Sequence, residues 1–266
     1  MRISRGEQLV NYVILGVFAL FAIYPILTVV VGAFGHDAGS PGGVANFGAA
    51  WEQGHFASLM RTSVLVSALV LAIATPLSIM AGYALGAMRF RGQTVLFYVF
   101  LLGIMMPAEA IIVPLYYDLR SLGLTNTIWA IVLPQVAQSV AFGTFWLRTY
   151  FRSSSRSIVE AARLDGATSW QTLWRVLVPL ARPAITTLLV LTFMWTWNEF
   201  LIPLVMASTD ELRTAPLGLA FFQGQYTQGF TLLAAGAVLV ALPVVMVYLF
   251  LQRHFIAGML EGAVRE

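Results

Sequence analysis

Residues 157–179 read SIVEAARLDGATSWQTLWRVLVP. This polar stretch lies between two long apolar regions and is the most informative segment for the fold. Ser157 and, three residues later, Glu160 fit a capping box, in which each side chain satisfies a free backbone N–H at the start of a helix. Gly166 ends that helix, because glycine readily takes the positive φ of a helix C-terminus. The first half of the stretch therefore predicts a short helix followed by a sharp turn.

A second helix is predicted directly after the turn. Thr168 and Gln171 have the spacing of another capping box. Apolar side chains then recur at positions i, i+3, i+4 and i+7, the spacing of one helix face: Trp170, Leu173, Trp174 and Leu177. Residues 148–182 are therefore predicted to form a loop of helix, turn and helix that lies along a membrane surface.

The chain on both sides of this loop is strongly apolar. Of its 266 residues, 59% are hydrophobic and 10% are charged, and the mean hydropathy is +0.82. Soluble domains carry charge on about a quarter of their residues, so this composition excludes a disordered chain and an ordinary cytosolic enzyme. A membrane-spanning helix needs about 20 apolar residues. We therefore predict an all-α membrane protein, with residues 1–266 forming one domain of six spans: 12–34, 62–88, 94–117, 128–147, 183–207 and 230–251.

The arginines predict the orientation of these spans. All fifteen basic residues are arginine, and the cytoplasmic loops of membrane proteins are enriched in positive charge. If both termini are cytoplasmic, only Arg61, Arg120 and Arg213 lie in outer segments, and the other twelve lie in inner ones. We therefore expect cytoplasmic termini and a cytoplasmic loop at residues 148–182. The same arginines account for the net charge of +3, so nucleic-acid binding is not indicated.

Missing residue types exclude several kinds of chemistry. The chain has no Cys and no Lys, which removes thiolate nucleophiles, Schiff bases and the lysine of a phosphate-binding P-loop. Its three histidines, His36, His55 and His254, are too scattered for a paired metal site. We predict that the chain is not an enzyme and binds no metal or cofactor, and that another chain binds any ATP that drives it.

Four residues within the predicted spans are candidates for a substrate pathway or gate: Glu109, Trp195, Asn198 and Glu199. Acids inside a membrane are costly and usually face a cavity or pathway. The alternative for each glutamate is a structural position near the water interface, where it caps or pairs with a neighbour. The tryptophan and asparagine could stack on and hydrogen-bond a sugar, or could belong to span packing and the interfacial aromatic belt.

The loop at residues 148–182 also has two interpretations. Ala161 and Ala162 are small enough for another surface to approach closely, and Glu160 and Asp165 lie among arginines, which gives a mixed-charge surface. Such a helix is suited to a groove on a partner protein. The alternative is an interfacial helix that rests on lipid headgroups.

A resemblance to a known family favours the first interpretation. Residues 160–166, EAARLDG, followed after nine residues by VLVP at 176–179, resemble the EAA loop of ABC importer permeases. That pattern is EAA, three residues, Gly, nine residues and Ile-x-Leu-Pro. Three further segments are similar to the carbohydrate-uptake subfamily: LGLTNT at 122–127, WNEFLIP at 197–203 and GMLEGAVR at 258–265.

The resemblance implies an architecture and a set of partners. The expected fold is the six-helix type I importer permease in a bacterial plasma (inner) membrane. The expected partners are a homologous second permease, two ATPase subunits that bind ATP and Mg, an extracytoplasmic solute-binding protein and membrane lipid. The loop would be the coupling helix that docks into an ATPase, through Glu160, Ala161, Ala162, Asp165, Gly166 and Ala167.

The resemblance also implies a function with alternatives. The expected cargo is a sugar or oligosaccharide, moved by alternating access. Glycerol 3-phosphate, a polyol or an amino sugar is the alternative within the same class. A self-sufficient secondary transporter is a more remote alternative, which predicts intramembrane acid–base relays and inverted repeats.

Overall fold

The structure, a computed structural model, describes residues 4–153, 156–225 and 229–263, with backbone alone for residues 156, 225 and 253–263. It is built almost wholly from helices. In chain order these are α1 (Arg5–Ala33), α2 (Ala45–Gln53), α3 (Phe56–Ala87), α4 (Gln93–Met105), α5 (Ala108–Ser121), α6 (Ile128–Ser153), α7 (Arg156–Leu164), α8 (Ser169–Leu180), α9 (Arg182–Asn198), α10 (Leu201–Met206), α11 (Ala215–Gln225) and α12 (Phe230–Ala263).

Four of the predicted spans are single continuous helices. By length and composition, α1, α3, α6 and the part of α12 up to Gln252 are each able to cross a membrane. Every one of them continues through an internal proline: Pro25, Pro76, Pro134 and Pro243, respectively. A proline inside a membrane helix is tolerated where neighbouring groups satisfy the freed backbone carbonyl.

The span predicted at residues 94–117 is not one helix. It consists of α4 and α5, which are bent by 100° relative to each other. The break is at Met106, which is extended at φ −73° and ψ 122° and precedes Pro107. The residue before a proline is disfavoured in the helical region, so the helix stops there.

The span predicted at residues 183–207 is also broken. Helix α9 ends at Asn198, Glu199 is extended at φ −65° and ψ 124°, and α10 follows. Pro203 lies four residues beyond Glu199, so it cannot donate to that carbonyl and its ring would clash with it in a continuous helix. At its other end α9 is bent by 79° from α8. Within the described residues, four helices are long and apolar enough to cross a membrane, or up to six if each bent pair is one span.

The chain groups into two compact units. The first consists of Met1–Ala57 and Gly218–Leu242. In it, Phe56 packs edge-on against Phe222 with ring centroids 5.7 Å apart, and the Asp37 carboxylate accepts a 2.9 Å hydrogen bond from the N–H of Thr231 in the first turn of α12. A carboxylate at that position satisfies a free N–H at the start of the helix and complements the helix dipole.

The second unit consists of Ser58–Leu217 and Pro243–Glu266, and it holds two hydrophobic clusters. One cluster joins α3, α5, α6 and α10 through residues that include Val70, Ile112, Ile131 and Ile202. The other joins α3, α6, α8 and α9 through residues that include Ile79, Leu147, Leu177 and Leu188. The broken helices are thus packed on α6, which lies in both clusters.

Candidate functional site

The first candidate region is the surface segment α7–α8. Helix α7 spans Arg156–Leu164, so Ser157, which was predicted to be the N-cap, lies in the first turn, and the N-cap position itself is outside the described residues. The predicted end of the helix is confirmed, because Gly166 has φ +80°. The Gly166 N–H donates to the Arg163 carbonyl at 3.0 Å and the Ala167 N–H to the Ala162 carbonyl at 2.9 Å. These two bonds are a Schellman motif.

Side chains of mixed character are exposed on both sides of this turn. Among the residues predicted to contact an ATPase, Glu160, Ala161, Asp165 and Gly166 are exposed, Ala167 is half-buried and Ala162 is buried. Two large apolar side chains accompany them, since Leu164 is 88% exposed and Trp170 is 62% exposed. Apolar groups left in water beside charged ones are typical of a protein docking surface.

The opposite face of the segment is anchored to the spans. The capping box predicted at Thr168 and Gln171 is confirmed, with hydrogen bonds of 2.9 and 3.3 Å. Leu173 and Leu177, half of the predicted apolar stripe, are buried against α6 and α9, whereas Trp170 is not. The hydroxyl of Tyr150 also donates to the Leu180 carbonyl at 2.8 Å. The segment is therefore fixed to α6 and α9 by packing and by this hydrogen bond.

The second candidate region is a cavity of ≈ 510 Å³ lined by α4, α6 and α9. It lies beside both helix breaks, since Met106 and Glu199 are in its wall. Its polar and aromatic lining consists of Gln135, Gln138, Ser139, Phe142, Trp195, Thr196, Asn198 and Glu199. Among the described residues of this lining, Glu199 is the only one that carries a charge.

The cavity wall combines an aromatic platform with amide groups. Trp195 is 49% exposed, and its ring meets that of Phe142 edge-on at 4.7 Å between centroids. Asn198 donates from Nδ2 to the Met194 carbonyl at 2.8 Å, which leaves its Oδ1 as an acceptor. Gln135 is 4% exposed, and its Oε1 has no protein partner among the described residues. A buried amide oxygen without a partner is costly. The exposed Asn198 is therefore the amide through which this wall offers an acceptor.

The comparisons with known proteins agree on one family. The model of the family described as the binding-protein-dependent transport system inner membrane component matches residues 74–261. The chain belongs to this family. The permease is 35% identical to the probable ABC transporter permease protein YurM of Bacillus subtilis (strain 168), over 98% of this chain and 89% of that protein.

Two further matches extend the comparison. The permease is 32% identical to the arabinooligosaccharides transport system permease protein AraQ of Halalkalibacterium halodurans, over 80% of this chain and 76% of that protein. Its structure matches a chain from a bacterial ABC transporter involved in the import of the acidic polysaccharide alginate, with a TM-score of 0.80 and 25% identity over 96% of this chain and 99% of that one. The predicted resemblance is confirmed, and the family is a transport component of the inner membrane, not a catalytic subunit.

The permease brings three of the four predicted pathway residues together. Trp195, Asn198 and Glu199 all line the cavity. Glu199 also has a structural task, because its Oε1 accepts a 3.0 Å hydrogen bond from the N–H of Ile202 and so caps α10. Glu109 is exposed in the first turn of α5 and is not part of the lining. An acid in that turn is stabilised by the helix dipole.

The contribution of α6 to this cavity was not predicted from the sequence. Gln135, Gln138, Ser139 and Phe142 all line it, and they follow one another at i, i+3, i+4 and i+7. Residues with that spacing share one face of a helix. The signal was therefore present as a polar stripe in an otherwise apolar span.

Asn126 adds hydrogen bonds between the loop after α5 and the loop after α10. Asn126 has φ +58°, and its Oδ1 accepts hydrogen bonds of 3.1 Å from the Ser208 N–H, the Thr209 N–H and the Thr209 hydroxyl. Its own N–H donates to the Met206 carbonyl at 3.0 Å. Asparagine tolerates left-handed φ better than most residues. The loop after α5 and the loop after α10 are thereby held as one layer.

Proposed function

We propose that the permease is one of two membrane subunits of an ATP-driven importer, and that it moves a neutral sugar or oligosaccharide by alternating access. The observation that carries the proposal is the ≈ 510 Å³ cavity, where Trp195 and Phe142 adjoin the amides of Gln135, Gln138 and Asn198. Sugars offer apolar C–H faces for aromatic rings and hydroxyls for amides. The arabinooligosaccharide permease among its relatives supports the same substrate class.

The charge of the cavity favours a neutral substrate over an anion. Glu199 is the sole charged residue among the described lining residues, so a phosphate ester or a uronate would meet a carboxylate and no guanidinium group. Anion sites in proteins normally use arginine or backbone N–H groups. Glycerol 3-phosphate is therefore disfavoured. An amino sugar is the second candidate, because its ammonium group could pair with Glu199, and a polyol would be bound as a sugar is.

The α7–α8 segment is proposed to be the coupling helix. Glu160, Ala161, Ala162, Asp165, Gly166 and Ala167 would contact an ATPase subunit, joined by the exposed Leu164. ATP and Mg would be bound by two such ATPase subunits, and this chain would bind no cofactor. It would respond because the ATP-bound and ATP-free partners hold the segment differently.

The conformational change would be a rigid-body movement of packed helices. The segment is anchored on α6 and α9 through Leu173 and Leu177, and α6 and α9 also line the cavity. The breaks at Met106 and Glu199 flank the same cavity, so a shift of α9 would change its opening. Alternating access of this kind requires the homologous second permease and delivery of the substrate by an extracytoplasmic binding protein.

The proposed topology is six spans with both termini in the cytoplasm. The spans are α1, α3, α4 with α5, α6, α9 with α10, and α12, and α8 lies at the cytoplasmic surface. The distribution of arginine supports it, since only Arg61, Arg120 and Arg213 lie outside the inner segments. The absence of cysteine allows a direct test with single-cysteine variants. In intact bacterial spheroplasts, a membrane-impermeant maleimide should label Ala38→Cys and should label Ser169→Cys only after lysis; the reverse pattern would invert the topology.

The test of the function is affinity purification from native membranes, followed by mass spectrometry. A second permease, an ATPase and a solute-binding protein should accompany the chain, and the recovered complex in liposomes should import the ligand of that binding protein only with ATP inside. If the chain is recovered alone and transports without ATP, a secondary transporter replaces this proposal.

A further inference from the structure

A second cavity, of ≈ 770 Å³, lies in the same compact unit as the first but is built from other residues. It is formed where α3 ends, α4 begins, α6 ends and α7 passes. Its floor is apolar and includes Leu85 and Phe151, which are both buried. Its rim is charged, with Arg89, Arg152, Arg163 and Glu160.

The rim has an excess of positive charge. Three guanidinium groups come from three separate elements: Arg89 from the turn after α3, Arg152 from α6 and Arg163 from α7. All three side chains are exposed, and within the described parts of the chain none of them forms a salt bridge. One carboxylate, Glu160, faces them. Arginine forks of this kind match the oxygen atoms of a phosphate group.

The turn that carries Arg89 is held in place by hydrogen bonds. Gln93 donates from Nε2 to the Leu85 carbonyl at 2.8 Å and to the Met88 carbonyl at 3.0 Å. Arg148, the nearby fourth arginine, is engaged elsewhere: its Nε donates to the Leu85 carbonyl at 3.1 Å and its guanidinium lies 3.6 Å from the Phe97 ring centroid. The cavity is thus a formed site in which three arginines remain available to a ligand.

We propose that this cavity binds the phosphate headgroup of an anionic membrane phospholipid from the cytoplasmic leaflet. The inference rests on the proposed topology, which puts these residues at that leaflet. Basic pockets between helix ends on the cytoplasmic side suit anionic headgroups. With that topology, the ends of α3 and α6 beside Leu85 and Phe151 would lie next to the hydrocarbon region. A lipid therefore fits both parts of the cavity, whereas a free phosphate ion fits only the rim.

The position of the site gives the lipid a role. Arg163 and Glu160 belong to α7, the proposed coupling helix, while Arg89 and Arg152 belong to the span ends. A phosphate group that contacts all three arginines would tie α7 to the spans. The lipid would then increase the transport that each ATP hydrolysis produces, because a tied segment transmits its movement to α6.

The test is native mass spectrometry of the full-length chain in detergent, with dioleoyl phosphatidylglycerol or dioleoyl phosphatidylcholine added at equal concentration. Wild type should retain phosphatidylglycerol preferentially. The triple variant Arg89→Gln, Arg152→Gln, Arg163→Gln should bind it about a hundredfold less tightly, since three arginines at about 1 kcal/mol each correspond to that factor. The matched control Arg5→Gln, Arg175→Gln, Arg182→Gln removes the same charge from exposed positions outside the cavity and should bind as wild type does.

Four outcomes would overturn the proposal. Equal losses in both triple variants would mean general surface attraction, and wild-type binding in both would mean that the cavity is not used. Displacement of the lipid by excess inorganic phosphate, but not by sodium chloride at the same ionic strength, would assign the site to the free ion. A cavity variant that keeps its lipid but loses its ATPase subunit would assign the site to a protein partner. Labelling of Ser169→Cys from outside would reject the topology separately, without any change in these binding ratios.

Discussion

The α7–α8 segment and the cavity at the helix breaks are built in opposite ways. In the segment, the functional features are local: a glycine turn at Gly166, a capping box at Thr168 and exposed side chains between them. In the cavity, α4, α6 and α9 each contribute a wall, and no single stretch of sequence contains the site. The segment should therefore respond most to changes of backbone conformation, and the cavity most to changes of side-chain chemistry.

The largest expected effect comes from a substitution that disrupts the backbone conformation of the α7–α8 segment. Gly166→Pro cannot adopt φ +80°, because proline fixes φ near −65°, and it also loses the N–H that bonds Arg163. We expect transport by the reconstituted complex to fall by roughly a hundredfold or more, since a strain of about 3 kcal/mol corresponds to that factor. Chain insertion into the membrane should be unchanged, as measured by the amount recovered after alkaline washing.

Two further variants define what this result means. Glu160→Arg reverses an exposed charge without strain and should reduce co-purification of the ATPase. Gly39→Pro imposes the same kind of strain, at φ +90°, in a loop of the other compact unit, and should leave ATPase binding intact. If Gly166→Pro transports normally, the assignment of α7–α8 as the coupling helix fails.

The second effect concerns the aromatic wall of the cavity. Trp195→Ala should lower transport of the sugar by about tenfold, because a stacked aromatic contact is worth about 1 kcal/mol beyond its buried area. ATP hydrolysis stimulated by the loaded binding protein should change by less than about twofold, since the α7–α8 segment is unchanged in this variant. The matched control is Trp129→Ala, which removes another half-exposed tryptophan that is not in the lining. Equal losses in the two variants would show that Trp195 serves packing alone.

The third effect is on stability and concerns the two loops that Asn126 joins, the loop after α5 and the loop after α10. Asn126→Ala removes the acceptor of three hydrogen bonds and also strains a backbone at φ +58°. We expect a loss of about 1–3 kcal/mol, seen as a lower midpoint of thermal unfolding in detergent. Asn126→Gly also lacks the three hydrogen bonds but is not strained at positive φ. Its unfolding midpoint should therefore lie between those of Asn126→Ala and wild type. An unfolding midpoint for Asn126→Gly equal to that of wild type would mean that the amide stabilises nothing.

The smallest effect is a pH dependence outside both regions. The hydrogen bond from the Thr231 N–H holds the pKa of the Asp37 carboxyl below its usual value of 3.8. Because the folded state has the lower pKa, this stabilisation is complete above the unfolded value and is lost as pH falls through the folded value. Below about pH 4, wild type should lose more thermal stability than Asp37→Asn does. If the thermal stability of the two proteins falls equally with pH, the Asp37 carboxylate does not contribute to the pH dependence of stability.

Local signals allowed much of the fold to be predicted. The spans that are continuous helices, α1, α3, α6 and α12, were recognisable from apolar length alone. The turn at Gly166 and the cap at Thr168 were recognisable from residue type and spacing. The breaks in the other two spans were not predicted, although Pro107 and Pro203 are present in the sequence. A proline alone does not indicate a break, because α1 and α3 continue through Pro25 and Pro76. Whether a proline ends a helix depends on whether neighbouring groups satisfy the backbone carbonyl that loses its hydrogen bond.

The apolar spans, the uneven distribution of the arginines and the motif at residues 160–179 can be recognised directly in the sequence, since none of them depends on a contact between distant residues. Tertiary structure alone decided that Gln135, Gln138 and Asn198 share one cavity, and that Arg89, Arg152 and Arg163 share another. It also decided that Asn126 binds the loop after α10. These contacts join residues far apart in the chain, and their partners are chosen by helix packing, which residue spacing within one helix does not encode.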